Sequence, residues 1–220
     1  MKGDGRRQGV LLLHGLARSR YSMILLERYL LARGYRVANP GYPSRQEEIA
    51  PLAHRVIPQG LAQLRQAGVE TIHAVTHSMG GILLRRYWQD RQIPGFGHAV
   101  MLAPPNRGCE LVDHFSRYRW FRLWAGPAGC QLGTASDSLP NALGPVPFST
   151  GIIAGNEPII PFFGHLIPGE NDGKVSVARA RVEGMKELLV LPCSHPFIMN
   201  HRAVWAQTAH FLEHGCFCPS

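Results

Sequence analysis

The sequence predicts a three-layer α/β/α sandwich, in which helices cover both faces of a mostly parallel sheet. Short apolar runs alternate along the chain with longer amphipathic runs, as in successive strand–helix units. The apolar runs are continuous and do not alternate with polar residues, which is typical of parallel strands buried on both faces. A length of 220 residues suits one domain with a single core, which we place at 1–220.

Each element follows from its own segment. Strands are predicted at 10–14, 35–39, 71–76, 98–103, 150–154 and 187–191. Helices are predicted at about 20–33, 47–67, 81–91 and 198–213, and a long loop at 155–174. The alternation fails over about 104–149, which is rich in Gly, Pro and aromatic residues. We therefore predict that this segment is a cap or lid inserted over the carboxyl edge of the sheet, where open α/β sheets bind ligands.

Composition restricts the partners. The net charge of +8 comes from arginines scattered through every segment, which leaves two interpretations: a solvated arginine-rich surface or an anionic partner. No nucleic-acid-binding module accompanies the charge, so no nucleic acid is predicted. The apolar run at the start is too short for a signal peptide and no run could span a bilayer, so a cytoplasmic location is predicted. Five cysteines without paired metal spacing predict free thiols, with neither metal nor cofactor.

The segment from Thr76 to Gly81 carries the strongest chemical signal. It follows an apolar strand, contains Ser78 between small residues, and precedes an amphipathic run. A strand, a sharply bent serine and a helix form a nucleophile elbow, which exposes the hydroxyl above the N-terminus of the helix. Since a serine hydroxyl is a weak nucleophile alone, the chain must also supply a base, an acid and an oxyanion hole.

With Ser78 in this setting, the chain resembles α/β-hydrolases, and among them small bacterial lipase-like serine hydrolases. The resemblance runs from Leu11 to the last predicted helix. It implies the chain order serine, then aspartate or glutamate, then histidine, which Ser78, Asp172 and His195 satisfy. One departure is Thr76, which stands where the family's motif usually has glycine.

The base must be chosen from eleven histidines. His195 lies just past the last predicted strand, where a loop can present an imidazole at the edge of the sheet. His77 is adjacent to Ser78, but neighbours in a tight turn point apart, so we expect it to pack or bond locally. His73 lies within a strand and is expected in the core. The histidines of the last helix are expected at its surface or ends: His201, His210 and His214.

The resemblance implies that the acid follows the predicted strand 150–154. Three candidates do so: Glu157, Glu170 and Asp172. The segment around Asp172, Asn-Asp-Gly, resembles the acid-bearing segment of several bacterial lipases, and a short side chain before Gly suits a tight turn. We favour Asp172 and retain Glu157 as the competitor, because Glu157 lies nearest the strand.

An oxyanion hole needs two backbone N–H donors that face the developing charge. Met79, the residue after the serine, can supply one from the start of its helix. The segment His14-Gly15-Leu16 resembles the family's His-Gly-X turn, which implies Leu16 as the second donor. His14 is expected to hold this loop by a side-chain hydrogen bond.

Aromatic residues interleaved with arginines fill 115–124 within the predicted cap. Trp120, Phe121 and Trp124 are the candidate substrate-binding residues, as an apolar lid over an acyl chain, and this composition also suits transient contact with a membrane or lipid surface. The alternative is a packed helix whose arginine stems cover its own aromatic rings.

These residues favour a serine carboxylic ester hydrolase, of the esterase or lipase kind, that acts on a small-molecule ester or lipid. The same groups would serve a thioesterase, an amidase or an acyltransferase. A non-catalytic binding protein of this fold is disfavoured because serine, acid and histidine are all present. The sequence specifies neither the acyl chain length nor the oligomeric state.

Overall fold

The computed structural model describes residues 8–219. Its strands form one six-stranded sheet of order β2-β1-β3-β4-β5-β6, and each pairing between neighbours is parallel. The strands are β1 (Gln8–Leu13), β2 (Arg36–Ala38), β3 (Thr71–His77), β4 (Phe96–Leu102), β5 (Thr150–Gly155) and β6 (Glu187–Leu191). The helices are α1 (Ile24–Ala32), α2 (Ile49–Gln66), α3 (Met79–Asp90), α4 (Glu110–Phe115), α5 (Arg119–Cys130), α6 (Leu139–Ala142), α7 (Pro161–His165), α8 (Val177–Ala180) and α9 (Arg202–His214).

Alternate residues of the buried strands lie in two apolar cores, one on each face of the sheet. In β1, Leu11 and Leu13 pack with the apolar residues of α2 and α3, whereas Val10 and Leu12 pack with those of α1 and α9. All four side chains are fully buried. The predicted three-layer α/β/α sandwich is therefore confirmed, and both faces of the sheet are covered.

Several element boundaries differ from the predicted ones. The helix predicted at 20–33 begins with a 3₁₀ turn (Arg20–Met23), and the helix predicted at 198–213 is divided into a 3₁₀ turn (Ile198–Asn200) and α9. The predicted loop 155–174 contains α7. The two 3₁₀ turns and α7 have only three to five residues. Helix ends and short helical turns of this length depend on contacts with neighbouring segments, which the local sequence does not show.

The 104–149 segment is not irregular throughout, because it contains α4, α5 and α6. Arg85 of α3 attaches it to the sheet region. Its buried guanidinium donates hydrogen bonds to the carbonyls of Asn106, Pro140 and Gly144, at 2.9, 3.1 and 2.7 Å. Three carbonyls of the segment thus share one buried donor group, which fixes both ends of the segment against α3.

The long helix of this segment, α5, is kinked at Gly126, where φ is 67° and ψ is −176°. Only glycine fits there, since a Cβ would lie 1.8 Å from the carbonyl oxygen of Arg45. Arg45 also donates a hydrogen bond from Nη1 to the carbonyl of Trp124, at 3.1 Å. The kink therefore brings α5 into close contact with the loop between β2 and α2.

Among the residues that the structure describes, no helix combines the length and the apolar character needed to cross a membrane. The five cysteines all lie within the described range, and none of them forms a disulfide there. Burial raises the pKa of the Cys109 and Cys193 thiols to about 12, so that both remain protonated at neutral pH.

Candidate functional site

Ser78 occupies the turn between β3 and α3 at the carboxyl edge of the sheet. Its φ of 52° and ψ of −122° lie in a region that residues with a side chain rarely adopt. The turn is held from both sides, because Ser78 N donates to the Leu102 carbonyl at 2.8 Å and Gly81 N donates to the Ser78 carbonyl at 3.0 Å. The surrounding structure therefore compensates for the strain at the serine.

The glycines after the serine permit close approach to the elbow. A Cβ on Gly80 would lie 2.4 Å from the carbonyl oxygen of Leu13, so the start of α3 can contact β1 only with glycine there. A Cβ on Gly81 would lie 3.3 Å from Thr76 Oγ1. The bulk of the Thr76 side chain is thus accommodated by the small residue opposite it.

A continuous hydrogen-bonded chain leads from Ser78 into the protein. His195 Nε2 lies 3.0 Å from Ser78 Oγ, and His195 Nδ1 lies 2.8 Å from Asp172 Oδ2. Because a carboxylate only accepts hydrogen bonds, Nδ1 carries the proton and Nε2 presents its lone pair to the serine hydroxyl. All three side chains are at least nine-tenths buried.

The Asp172 carboxylate is held by its own loop. Its Oδ1 accepts hydrogen bonds from the backbone N–H groups of Lys174 and Val175, at 2.9 and 2.8 Å. The Asp172 carbonyl accepts from the N–H of His195 at 3.0 Å. Neighbouring Asn171 is buried and donates to three carbonyls within 164–169, at the end of α7 and in the loop after it, which shapes this turn.

The two glutamates that were candidates for the acid lie elsewhere. Glu157 has an exposed side chain, and its N–H donates to the carbonyl of Cys193. Glu170 is exposed and accepts a hydrogen bond of 3.5 Å from Asn156. Of the three candidates, the structure brings Asp172 to His195.

The loop after β1 lies directly against the serine. A Cβ on Gly15 would lie 3.1 Å from Ser78 Cβ, and the turn closes with a hydrogen bond from Arg18 N to the Gly15 carbonyl at 3.3 Å. Leu16 follows Gly15 in this turn. On the other side of Ser78, Met79 is the first residue of α3, where backbone N–H groups have no partner within the helix. Of the two predicted donor residues, Met79 therefore follows the serine directly and Leu16 lies in the loop that contacts it.

His14 supports this loop from beneath. Its ring stacks on Tyr42 with centroids 3.7 Å apart, and the Tyr42 hydroxyl donates to the carbonyl of His14. The predicted side-chain hydrogen bond is present, from His14 Nδ1 to the Gly15 carbonyl at 3.0 Å. Burial lowers the pKa of His14 to about 4, so the ring is neutral at physiological pH.

His77 packs in the interior, which is one of the two expectations for it, but its side-chain hydrogen bond is not local. Its Nε2 donates to the carbonyl of His195, 118 residues later, at 3.1 Å. The side chains of the adjacent residues His77 and Ser78 do point apart at the elbow. The side chain of His77 points toward the backbone of the loop that carries His195. His73 lies in the core as expected, with its Nδ1 accepting a hydrogen bond from His98 N.

The three candidate substrate-binding residues of α5 face in different directions. Phe121 is buried and packs near Phe115, whereas Trp120 and Trp124 are 58% and 44% exposed. The inner face of α5 reaches the loop after β1, because a Cβ on Gly129 would lie 2.8 Å from the Leu16 side chain. The helix thus covers the Leu16 loop while its two tryptophans remain at the surface.

No family model matches the sequence, and no curated protein matches it. Solved structures do match. A lipase of Bacillus licheniformis in its mature form is 17% identical with a TM-score of 0.77, over 97% of this chain and 94% of the lipase. A phospholipase of Legionella pneumophila is 19% identical with a TM-score of 0.66, over 86% of this chain and 53% of the phospholipase. A metagenomic carboxyl esterase is 20% identical with a TM-score of 0.65, over 88% of this chain and 65% of the esterase.

This chain therefore spans about half the length of the phospholipase that it resembles. At these identities the likeness concerns the fold. The chain has the α/β-hydrolase fold of lipases and esterases, and the resemblance inferred from the sequence is confirmed at that level.

Proposed function

We propose that this chain, built on the α/β-hydrolase fold, is a serine carboxylic ester hydrolase of the esterase or lipase kind. The hydrogen-bonded chain from Ser78 through His195 to Asp172, with the serine at a strained elbow, carries the proposal. The arrangement supplies a nucleophile, a base and a group that orients the base.

The chemistry follows from the positions of the protons. As Ser78 Oγ attacks the ester carbonyl, its proton passes to His195 Nε2, and Asp172 stabilises the imidazolium. The N–H groups of Leu16 and Met79 bind the oxyanion. The carbon–oxygen bond to the alcohol then breaks, and the alcohol leaves with the proton from Nε2. In the second half, water loses a proton to Nε2 and attacks the acyl-enzyme. The bond from the acyl carbon to Ser78 Oγ then breaks, Oγ takes the proton back from Nε2, and the acid is released.

The substrate class rests on two supports of different kinds. The similar solved structures are a lipase, a phospholipase and a carboxyl esterase. The 104–149 segment also packs on the loop after β1, since a Cβ on Gly129 would lie 2.8 Å from the Leu16 side chain, and of its three candidate acyl-binding residues Phe121 is the buried one. A thioesterase, an amidase and an acyltransferase would use the same groups, but no further observation favours one of them.

A series of p-nitrophenyl esters from acetate to palmitate tests this proposal. We expect the wild-type protein to release nitrophenol from at least part of the series, and the chain length with the highest kcat/KM to report the size of the acyl pocket. Absence of hydrolysis at every chain length, together with absence of labelling by a serine-directed fluorophosphonate, would reject the enzyme hypothesis.

The assignment of the acid predicts unequal effects of two matched amide substitutions. Asp172→Asn should lower kcat by about 10³- to 10⁴-fold, because an amide neither stabilises the imidazolium nor selects the tautomer with the proton on Nδ1. Glu157→Gln should leave kcat nearly unchanged, because Glu157 is exposed. Steady-state kinetics on one ester measures both, and a larger loss in Glu157→Gln would overturn the assignment.

We further propose that the outer face of α5 binds a lipid surface transiently. Three apolar residues at positions i, i+3 and i+4 form an exposed stripe on this face. Their side chains are 58% (Trp120), 73% (Leu123) and 44% (Trp124) exposed. Three arginines lie beside it: Arg117, Arg119 and Arg122. An apolar stripe flanked by cations suits a membrane whose headgroups are anionic.

Co-sedimentation with vesicles tests this contact. We expect binding to vesicles that contain phosphatidylglycerol, and weaker binding to pure phosphatidylcholine. Leu123→Asp should weaken binding at least about tenfold, since burial of one leucine contributes roughly 1.5–3 kcal/mol. Leu31→Asp, which changes a 48% exposed leucine of α1, is the control and should bind as wild type. Equal binding by both variants would contradict the proposal.

A further inference from the structure

We infer that His77 is a positioning residue, which places the His195 imidazole relative to Ser78 Oγ by donating a hydrogen bond from its Nε2 to the carbonyl of His195. The inference rests on the proposed function and concerns the same site. It assigns a role to a buried histidine that performs no acid–base step in the mechanism above.

His77 is the residue before the nucleophile and the last residue of β3. It is 2% exposed, its Nε2 lies 3.1 Å from the carbonyl oxygen of His195, and the two rings have centroids 5.0 Å apart at 49°. The backbone that carries the base is therefore connected through one side chain to the backbone that carries the nucleophile.

The donor role of His77 is unambiguous. A carbonyl oxygen only accepts, so Nε2 carries the proton and Nδ1 carries a lone pair. Nδ1 is buried and has no hydrogen-bond partner among residues 8–219, and it faces Gly15, where a Cβ would lie only 2.8 Å away. The ring thus also lies against the loop after β1, and a larger residue than glycine could not fit there.

His77 stays neutral while it does so. Burial lowers its pKa well below the ordinary value, and the positive charge on protonated His195 lowers this pKa further. The hydrogen bond to the His195 carbonyl opposes these effects without outweighing them. The donor is therefore a neutral imidazole throughout the range in which the base would work, and it does not compete with His195 for the serine proton.

Among the described residues, three hydrogen bonds hold the backbone of His195 and Pro196, and they reach three different parts of the protein. The His195 N–H donates to the Asp172 carbonyl at 3.0 Å, and Arg18 Nη2 donates to the Pro196 carbonyl at 3.3 Å. The bond from His77 is the one that leads to the elbow itself. Without it, the imidazole would remain attached to the acid loop while its distance to Ser78 Oγ could vary. A displacement of about 1 Å in such a geometry can cost roughly 10²-fold in rate.

A purely structural role is the alternative explanation. Here His77 would only satisfy a buried carbonyl, and its loss would lower stability without changing the turnover of the molecules that remain folded. The two explanations differ in kcat at saturating substrate, and in whether a side chain with the same donor restores it.

The experiment compares three variants on the preferred p-nitrophenyl ester. His77→Phe keeps the ring but removes the donor, and we expect kcat to fall about 10- to 100-fold with little change in KM. His77→Gln places an amide N–H at similar reach, and we expect it to retain most of kcat. His77→Asn has the same amide on a side chain one methylene shorter, and should lose kcat as His77→Phe does. The rate of inactivation by a fluorophosphonate should fall in parallel, and thermal melting verifies that each variant is folded.

Full kcat in a folded His77→Phe variant would overturn the inference. If His77→Phe does not fold, the Gln and Asn variants decide: equal kcat values in the two would overturn it, and a loss of at least about tenfold in Asn alone would support it. A wild-type protein that neither hydrolyses esters nor reacts with the phosphonate would instead reject the proposed function. An active wild type with an unaffected His77→Phe variant rejects only the role of His77.

Discussion

Ser78→Ala is expected to lower kcat for ester hydrolysis by at least about 10⁴-fold, because loss of a serine nucleophile removes the acyl-enzyme pathway and leaves only binding and oxyanion stabilisation. Among residues 8–219, Ser78 Oγ makes one hydrogen bond, to His195 Nε2, so little of the fold depends on it. Alanine has the same Cβ and meets the same strain at φ 52° as the serine. The variant should therefore fold normally and fail to turn over.

Steady-state kinetics and thermal melting of the same preparations measure the two parts of this prediction. The control is Ser22→Ala, which removes a hydroxyl that donates to the Ser19 carbonyl at an exposed site. It should have wild-type kcat. Retention of wild-type activity in Ser78→Ala would remove Ser78 as the nucleophile, and a parallel loss in Ser22→Ala would indicate an impurity in the assay.

The second large effect is a loss of stability in acid. Burial lowers the pKa of His14 and of His73 to about 4, and that of His77 well below its ordinary value. In the unfolded chain these rings titrate near the ordinary value of about 6.5. Between about pH 6.5 and 4, the unfolded state therefore binds more protons than the folded state, so the free energy of unfolding falls as the pH falls.

The expected fall in the free energy of unfolding is a large fraction of the stability of a typical protein. From pH 7 to pH 5, His14 and His73 together should lower the free energy of unfolding by about 4 kcal/mol, with His77 acting in the same direction. Total stabilities of native proteins are only about 5–15 kcal/mol. We therefore expect marked destabilisation by pH 5, with the contributions of His14 and His73 nearly complete at about pH 4.

Urea unfolding at pH 7 and pH 5, followed by tryptophan fluorescence, measures this difference. In His73→Asn the side-chain oxygen can still accept the hydrogen bond from His98 N but cannot take up a proton, so about 2 kcal/mol of the acid loss should disappear. His114→Asn, at an exposed position, should keep the full loss. An acid loss of the same size in His73→Asn as in wild type would refute this explanation.

The strands and long helices were predictable because their signal is local. Strand β6 has the predicted bounds, and α2 lies within two residues of its predicted ends despite Pro58 in its interior. In a continuous apolar strand or an amphipathic helix, the spacing of the apolar residues alone predicts which side chains are buried. The elbow around Ser78 was also readable, because the strand, the bent residue and the glycines are consecutive in the chain.

What could not be predicted depends on contacts between distant segments. The hydrogen bond from His77 joins residues 118 positions apart, and nothing in the local sequence indicates it. Glu157 lies nearer to its strand than Asp172, yet the folding of the intervening loop around Asn171 brings Asp172 to His195. The opposite orientations of Phe121 and Trp120 likewise depend on what α5 packs against.

Trapping the acyl-enzyme tests the central claim most directly. The protein would be mixed with excess p-nitrophenyl butyrate, quenched in acid within a turnover, digested and mapped by mass spectrometry. We predict a butyryl group on the peptide that contains Ser78, absent from Ser78→Ala. Turnover of the ester with the butyryl group on another residue would contradict the account.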